Sequence, residues 1–94
     1  MPEVRLNTDD SRFELLEDGA PVGRLEIRDE PDHRFLVHID LDEGHEGKGY
    51  AGILTQGALD QTRDAGLNVD IQCPYVVRWL ERNPEYKDMV ISAV

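Results

Sequence analysis

Gly44-His45-Glu46-Gly47-Lys48-Gly49-Tyr50-Ala51-Gly52 is the stretch on which the reading of this chain turns. Before it, Arg34 to Leu41 alternates apolar and polar residues as a strand does. After it, Tyr50 to Ala65 has helical spacing. A glycine-rich bend between a strand and a helix leaves backbone N–H groups free at the helix start. Those groups and the helix dipole attract anions, phosphate above all. Gly47 and Gly49 remove side chains that would hold a phosphate off the backbone. Lys48 is one of two lysines in the chain and adds a point charge. The competing reading is a tight turn and nothing more, and a short glycine pattern does not decide between them.

Outward from this bend, the strand before it places Phe35, Val37, Ile39 and Leu41 on one face and Leu36, His38 and Asp40 on the other. The helix after it carries Ile53, Leu54, Ala58 and Leu59 near one stripe, with Gly66 where a C-cap glycine belongs. Leu67 to Cys73 alternates again through Val69 and Ile71. Strand, helix and strand at this spacing predict a right-handed crossover with the two strands parallel. Upstream, residues 3–7, 12–17 and 22–28 read as an antiparallel meander, with Asp18-Gly19 as a hairpin turn, Gly23 as a bulge and Glu30-Pro31-Asp32 as a second turn. Downstream, Pro74 suits the first position of a helix capped by Cys73, with Tyr75, Val76, Trp79 and Leu80 on its apolar face. Asn83-Pro84 ends it, Glu85 to Val90 adds one more helical turn, and Ile91 to Val94 carries no pattern. The fold class expected is α+β with an α/β-like core, in a single domain over residues 1–94.

Composition bounds the function. The 94 residues carry a net charge of −10, which repels nucleic acid and draws cationic partners such as amines, polyamines or lysine-rich segments. No run reaches the length of a membrane span, no signal-peptide core stands at the N-terminus, and the one cysteine forms no internal disulfide. The expectation is a cytoplasmic protein, a monomer or weak dimer, with no membrane partner. Three histidines and one cysteine lack metal-ligand spacing, so no metal site is expected.

Two side chains are candidates for chemistry. Cys73 at a helix N-terminus is placed to favour the thiolate, which attacks an acyl carbon or, as a thiol, protonates a departing sulfur. Taken alone, a small buried hydrophobe is the commoner role for a free cysteine. His38 offers an imidazole that takes a proton from an attacking amine near neutral pH; a hydrogen-bonded histidine without chemistry is the plainer alternative. His33, His45 and Glu46 read as solvated, Tyr75, Trp79 and Tyr86 as packing, and Asp42-Glu43 as a solvated acidic rim that would also attract an amine. Glycines 47, 49 and 52 match the dinucleotide-loop spacing, with Asp70 near the offset of its acid, but the chain is short for such a domain and its early strands read antiparallel.

His38-Ile39-Asp40-Leu41, Glu46-Gly47-Lys48-Gly49-Tyr50-Ala51, Cys73-Pro74-Tyr75-Val76 and Arg82-Asn83-Pro84-Glu85-Tyr86 together resemble the small YjdJ-type group of GCN5-related N-acetyltransferases, over about Arg24 to Val90. The resemblance implies a minimal form of that fold: antiparallel strands leading into a βαβ unit with splayed parallel strands, then short helices. It implies acetyl-CoA as co-substrate, its pyrophosphate on the backbone amides of Gly47, Lys48, Gly49, Tyr50 and Ala51. Leu41 and Asp42 would lie beside the pantetheine arm, and Asn83 would add a further contact. It implies His38 and Cys73 as the catalytic pair and a cationic amine as acceptor. Glu46 departs from the wider superfamily, which carries Arg or Gln there, and Asp42 from the proline common in the group. Members of this size lack the N-terminal helices that shape acceptor pockets in larger relatives. A non-catalytic acyl-CoA-binding or partner-docking module is the alternative. His38 stands about 13 Å down the strand from the bend, at roughly 3.3 Å per residue. Only a long, thiol-tipped ligand spans that distance.

Overall fold

The computed structural model describes residues 2–94. Four strands come first: β1 (Glu3–Asn7), β2 (Arg12–Glu17), β3 (Ala20–Asp29) and β4 (His33–Leu41). Each pairs antiparallel with the next. The β2–β3 hairpin turns on Asp18 and Gly19, both with positive φ (52° and 82°), the mirror-image turn whose twist matches that of paired strands. Helix α1 (Tyr50–Asp64) then crosses to β5 (Asn68–Ile71), which pairs parallel to β4. Helix α2 (Pro74–Arg82) and a 3-10 helix (Pro84–Met89) lead to β6 (Val90–Ala93), parallel to β5. The sheet runs β1-β2-β3-β4-β5-β6 in chain order. Two successive right-handed crossovers in one direction put both helices on the same face.

That face holds the core. Phe13, Leu15, Leu25, Leu36, Val69 and Ile71 of the sheet meet Leu54, Ala58 and Leu59 of α1 and Val76 and Leu80 of α2, all almost fully buried. Ile53 departs from the expected stripe: it is exposed, and Thr55 and Thr62 are buried in its stead. Thr55 satisfies its hydroxyl on the Ala51 carbonyl (2.8 Å), and Thr62 accepts from the buried Arg34 (3.0 Å), whose guanidinium also holds Asp29. At Gly57 an added Cβ would stand 2.6 Å from Val4, so this glycine sets how closely α1 lies on β1. Gly66, φ 75°, follows the last turn of α1 as the spacing requires.

Three features differ from the pattern reading. The β2–β3 bulge falls at Val22, between the pairs Leu15–Gly23 and Leu16–Pro21, and Gly23 itself is paired where the Leu41 side chain crosses it. The last residues form β6, a short edge strand. The largest consequence comes from β4. There Glu26 pairs with His38 and Ile27 with Leu36, which leaves Val37 as an extra residue. The bulge shifts the alternation by one. Leu36, Ile39 and Leu41 therefore all turn to the helices, while His38 and Asp40 are exposed on the other face.

No helix of the described residues covers that other face. Its strands carry rows of charge instead: Arg5, Glu14, Arg24 and Asp40 lie across β1 to β4 in alternating sign, and Arg12, Glu26 and His38 make the next row.

Candidate functional site: a strand fork below a glycine loop

Pairing between β4 and β5 stops where the bulge begins. The last bridge joins Leu36 to Ile71, and the last backbone bond runs from the Gln72 amide to the Leu36 carbonyl (2.8 Å). Beyond it, His38 to Leu41 pair with β3 alone among the described residues, while the chain after Ile71 turns into α2. One inserted residue thus opens a fork between two parallel strands, with unpaired backbone along its β4 side.

The glycine loop closes the wide end of this fork. Gly44, Gly47 and Gly49 all have positive φ, between 76° and 88°. Such values cost a residue with a Cβ about 1 kcal/mol or more. The space where each Cβ would sit is empty to at least 4 Å, so the bend is open. Gly49 is the N-cap of α1, and no side chain among the described residues bonds to the helix start. The first helical amide bond is Ile53 to the Gly49 carbonyl (3.2 Å). The amides of Tyr50, Ala51 and Gly52 therefore point outward unpaired, beside the positive end of the dipole. Lys48 leans over the Tyr50 ring, its Nζ 5.8 Å from the centroid.

The third glycine of the spacing has a packing role. An added Cβ at Gly52 would lie 3.4 Å from Trp79 Nε1 and 3.6 Å from the Tyr75 hydroxyl. Gly52 thus lets α2 approach the first turn of α1, and two polar tips come to rest beside the loop. Tyr75 and Trp79 do pack, as their spacing suggests, but the place of those tips depends on a helix–helix approach that no local pattern encodes.

The predicted site residues separate into groups. Leu41 is half-buried against the core at the mouth of the fork. Asp42 donates its amide to the Val22 carbonyl (2.8 Å), and its carboxylate is held by Arg24, which also bonds Asp40 (3.0 Å). Arg24 titrates above its ordinary value, first because of the Asp42 hydrogen bond. The expected solvated rim is thus partly an ion-paired one. Asn83 donates its side-chain amide to the Trp79 carbonyl (2.9 Å) and finishes α2. Cys73 caps α2 with extended backbone and no side-chain cap bond, and its thiol is buried in the core. His38 is exposed on the uncovered face. Both stand two residues past the last β4–β5 pair, one on each arm of the fork, but Cys73 belongs to the helix-side core and His38 to the uncovered face, so the two side chains do not share one side of the sheet.

His45 is not the solvated residue its loop position suggests. Its ring stacks on Tyr50 (centroids 6.2 Å apart), and its Nδ1 is buried without a hydrogen-bond partner among the described residues. Tyr86 donates to Asp60 (2.6 Å), which raises the phenol above its ordinary value, and Arg63 bonds Asp88 and the Glu85 carbonyl. These contacts fasten the 3-10 helix to α1. Surface grooves of about 340 and 360 Å³ lie between α2 and β6 and between α1 and β1, and neither is lined by a residue of the glycine loop or of the fork. No helix of the described residues is long and apolar enough to cross a membrane.

This arrangement has counterparts. Residues 12–89 match a family model described as GCN5-related N-acetyl-transferase. A GCN5-like protein from Staphylococcus aureus, solved by NMR, superposes with a TM-score of 0.70 at 15% identity, over 96% of this chain and 88% of its own. The ribosomal-protein-alanine N-acetyltransferase of Brucella melitensis biovar Abortus 2308 superposes with a TM-score of 0.60 at 21% identity, over 88% of this chain and 63% of its own. At these identities the two structures speak for the fold. No curated protein sequence matches the chain.

Proposed function

Because the chain belongs to the GCN5-related N-acetyltransferase family, we propose that it transfers acetyl from acetyl-CoA to a primary amine, with the cofactor lying in the β4–β5 fork. The observation that carries this reading is the coincidence of the Val37 bulge with the end of the β4–β5 ladder, directly below an open glycine loop. A slot of unpaired backbone leading from an anion-binding bend suits a ligand with phosphate at one end and an extended amide arm.

In this reading the pyrophosphate sits on the amides of Gly47, Lys48, Gly49, Tyr50 and Ala51. The pantetheine runs past Leu41 and Asp42 toward Val37. Asn83 is the weakest of the proposed contacts, since its amide is spent on α2. The acceptor nitrogen attacks the thioester carbonyl carbon, and the C–S bond breaks as the amide forms. His38, exposed, takes the proton lost by the nitrogen. Cys73, on the opposite arm, returns a proton to the departing CoA sulfur. Direct transfer needs no acetyl-enzyme.

Thermal shift with CoA, acetyl-CoA, NAD and ATP tests the ligand. Stabilisation by both CoA compounds and by neither nucleotide is expected; no shift with either CoA compound overturns the proposal. With an amine acceptor, intersecting lines in two-substrate kinetics are expected, and parallel lines would exclude direct transfer. His38→Ala and Cys73→Ala should each slow transfer by about 100-fold or more while the CoA shift persists. CoA binding with no transfer to any amine, and no effect of either substitution, would mark a binding module.

A further inference from the structure

We propose that Glu26 is the carboxylate that binds the ammonium of the acceptor, a proposal that rests on the acetyl-transfer reading of the same site. Glu26 is the ladder partner of His38 across β3 and β4, at the bulge that opens the fork. Leu25 and Ile27 on either side of it are buried against the helices, so Glu26 stands on the uncovered face with His38. Side chains directly opposite in an antiparallel pair lie close, with Cβ atoms about 5 Å apart. A nitrogen within reach of His38 is therefore within reach of Glu26.

The charge census of that face distinguishes this residue. Glu14 is bonded by Arg12 and Arg5, and Asp40 by Arg24. Arg12, the neighbour of Glu26 on β2, is spent on Glu14 (2.9 Å) and lies near Asp10 (3.8 Å). Of the carboxylates that β2 to β4 carry in these rows, Glu26 alone has no cation within ion-pair distance among the described residues. Asp70 on β5 is also unpaired, but it lies opposite Phe35, before the fork begins. Arg12 across the ladder and Arg24 and Arg28 along β3 each pair with another carboxylate, so a cation arriving at the fork meets beside the imidazole a carboxylate that no ion pair occupies. The acceptor class implied is an amine that binds protonated. The ammonium proton leaves through His38 to solvent, the neutral imidazole then takes the second proton as the C–N bond forms, and Glu26 sets where the nitrogen waits.

Two CoA thioethers of equal size test this without a known acceptor. S-(2-aminoethyl)-CoA carries an ammonium just past the sulfur, and S-propyl-CoA carries a methyl there. Calorimetric titration of the wild-type protein should show the aminoethyl compound bound about fivefold more tightly, the scale of an exposed ion pair. Glu26→Gln should bind both equally, with its propyl affinity unchanged. Glu26→Asp should keep part of the preference, and Asp70→Asn all of it. A preference that survives Glu26→Gln, or none in the wild type, overturns the assignment while the CoA site stands. Failure of the wild type to bind either thioether overturns the acetyl-CoA reading itself.

Discussion

Glu14 is almost wholly buried on the charged sheet face, where burial opposes its ionisation. Hydrogen bonds from Arg12, Asn7 and Arg5 outweigh that cost and hold the carboxyl below its ordinary value of 4.5. A carboxyl lowered in the folded state contributes stability that is present in full above the unfolded value. That contribution is lost as pH falls through the folded one. Glu14→Gln should therefore be less stable than wild type at pH 7, by about 1–3 kcal/mol in urea unfolding. The gap should narrow as pH falls below 4.5. At Gly49 the backbone requires positive φ but nothing crowds the missing Cβ. Gly49→Ala should cost about 1 kcal/mol of backbone strain, seen as a melting temperature about 5 °C lower. Its CoA affinity should fall tenfold or more, because the methyl enters the space a phosphate would use. Single residues were unevenly legible. Gly49, Gly66 and the Asp18-Gly19 turn could be read directly, because left-handed backbone is written in the residue type. Glu26, Arg34 and His45 could not, since what each means depends on partners at other sequence positions.

At the scale of elements, the meander, the crossover and the Cys73-capped helix were all legible, because each follows from a local period or cap. The β4 bulge was not. Phe35, Val37, Ile39 and Leu41 at every second position predict a regular strand, with Leu36 the one apolar residue out of step, and only the register with β3 reveals Val37 as an extra residue. That one residue reverses which side chains share a face with Leu36 and ends the ladder to β5, so the reading of the site changed more than the reading of the fold. β6 escaped for a different reason: four residues, mostly exposed, at a sheet edge carry almost no periodicity. The bulge gives a direct test. Deleting Val37 would join the pairs Ile27–Leu36 and Glu26–His38 into one regular ladder, with Ile39 and Leu41 still toward the helices and His38 still outward. The variant should fold with a melting temperature near or above that of wild type. It should lose the CoA thermal shift, because β4 can then continue beside β5 and the slot closes. A deletion variant that binds CoA as the wild type does would show that the bulge does not make the site.

For the whole molecule, charge sets the two proposed substrates against each other. The net charge of −10 is spread over a small body with a Cα radius of gyration of 12.3 Å, so an arriving ligand meets a summed negative field and not a single group. Around the loop the local balance has the same sign: Asp42, Glu43 and Glu46 stand against Lys48, with Arg24 offsetting Asp42 from β3. On the proposed reading acetyl-CoA, a polyanion, would approach against that field and be held only at close range by amide dipoles. A protonated amine, the proposed acceptor, would be drawn in. Salt screens the long-range part and leaves short contacts largely intact, with a screening length of about 10 Å at 0.1 M. Raising ionic strength from roughly 0.02 to 0.3 M, a range over which that length shrinks severalfold, should thus act in opposite directions on the two substrates. The association rate constant for acetyl-CoA, read by stopped-flow, should rise severalfold, and kcat/KM for the amine at saturating acetyl-CoA should fall. A common direction for both would mean that binding is governed by close pairs such as Lys48 with phosphate and Glu26 with ammonium. The overall charge would then serve solubility alone.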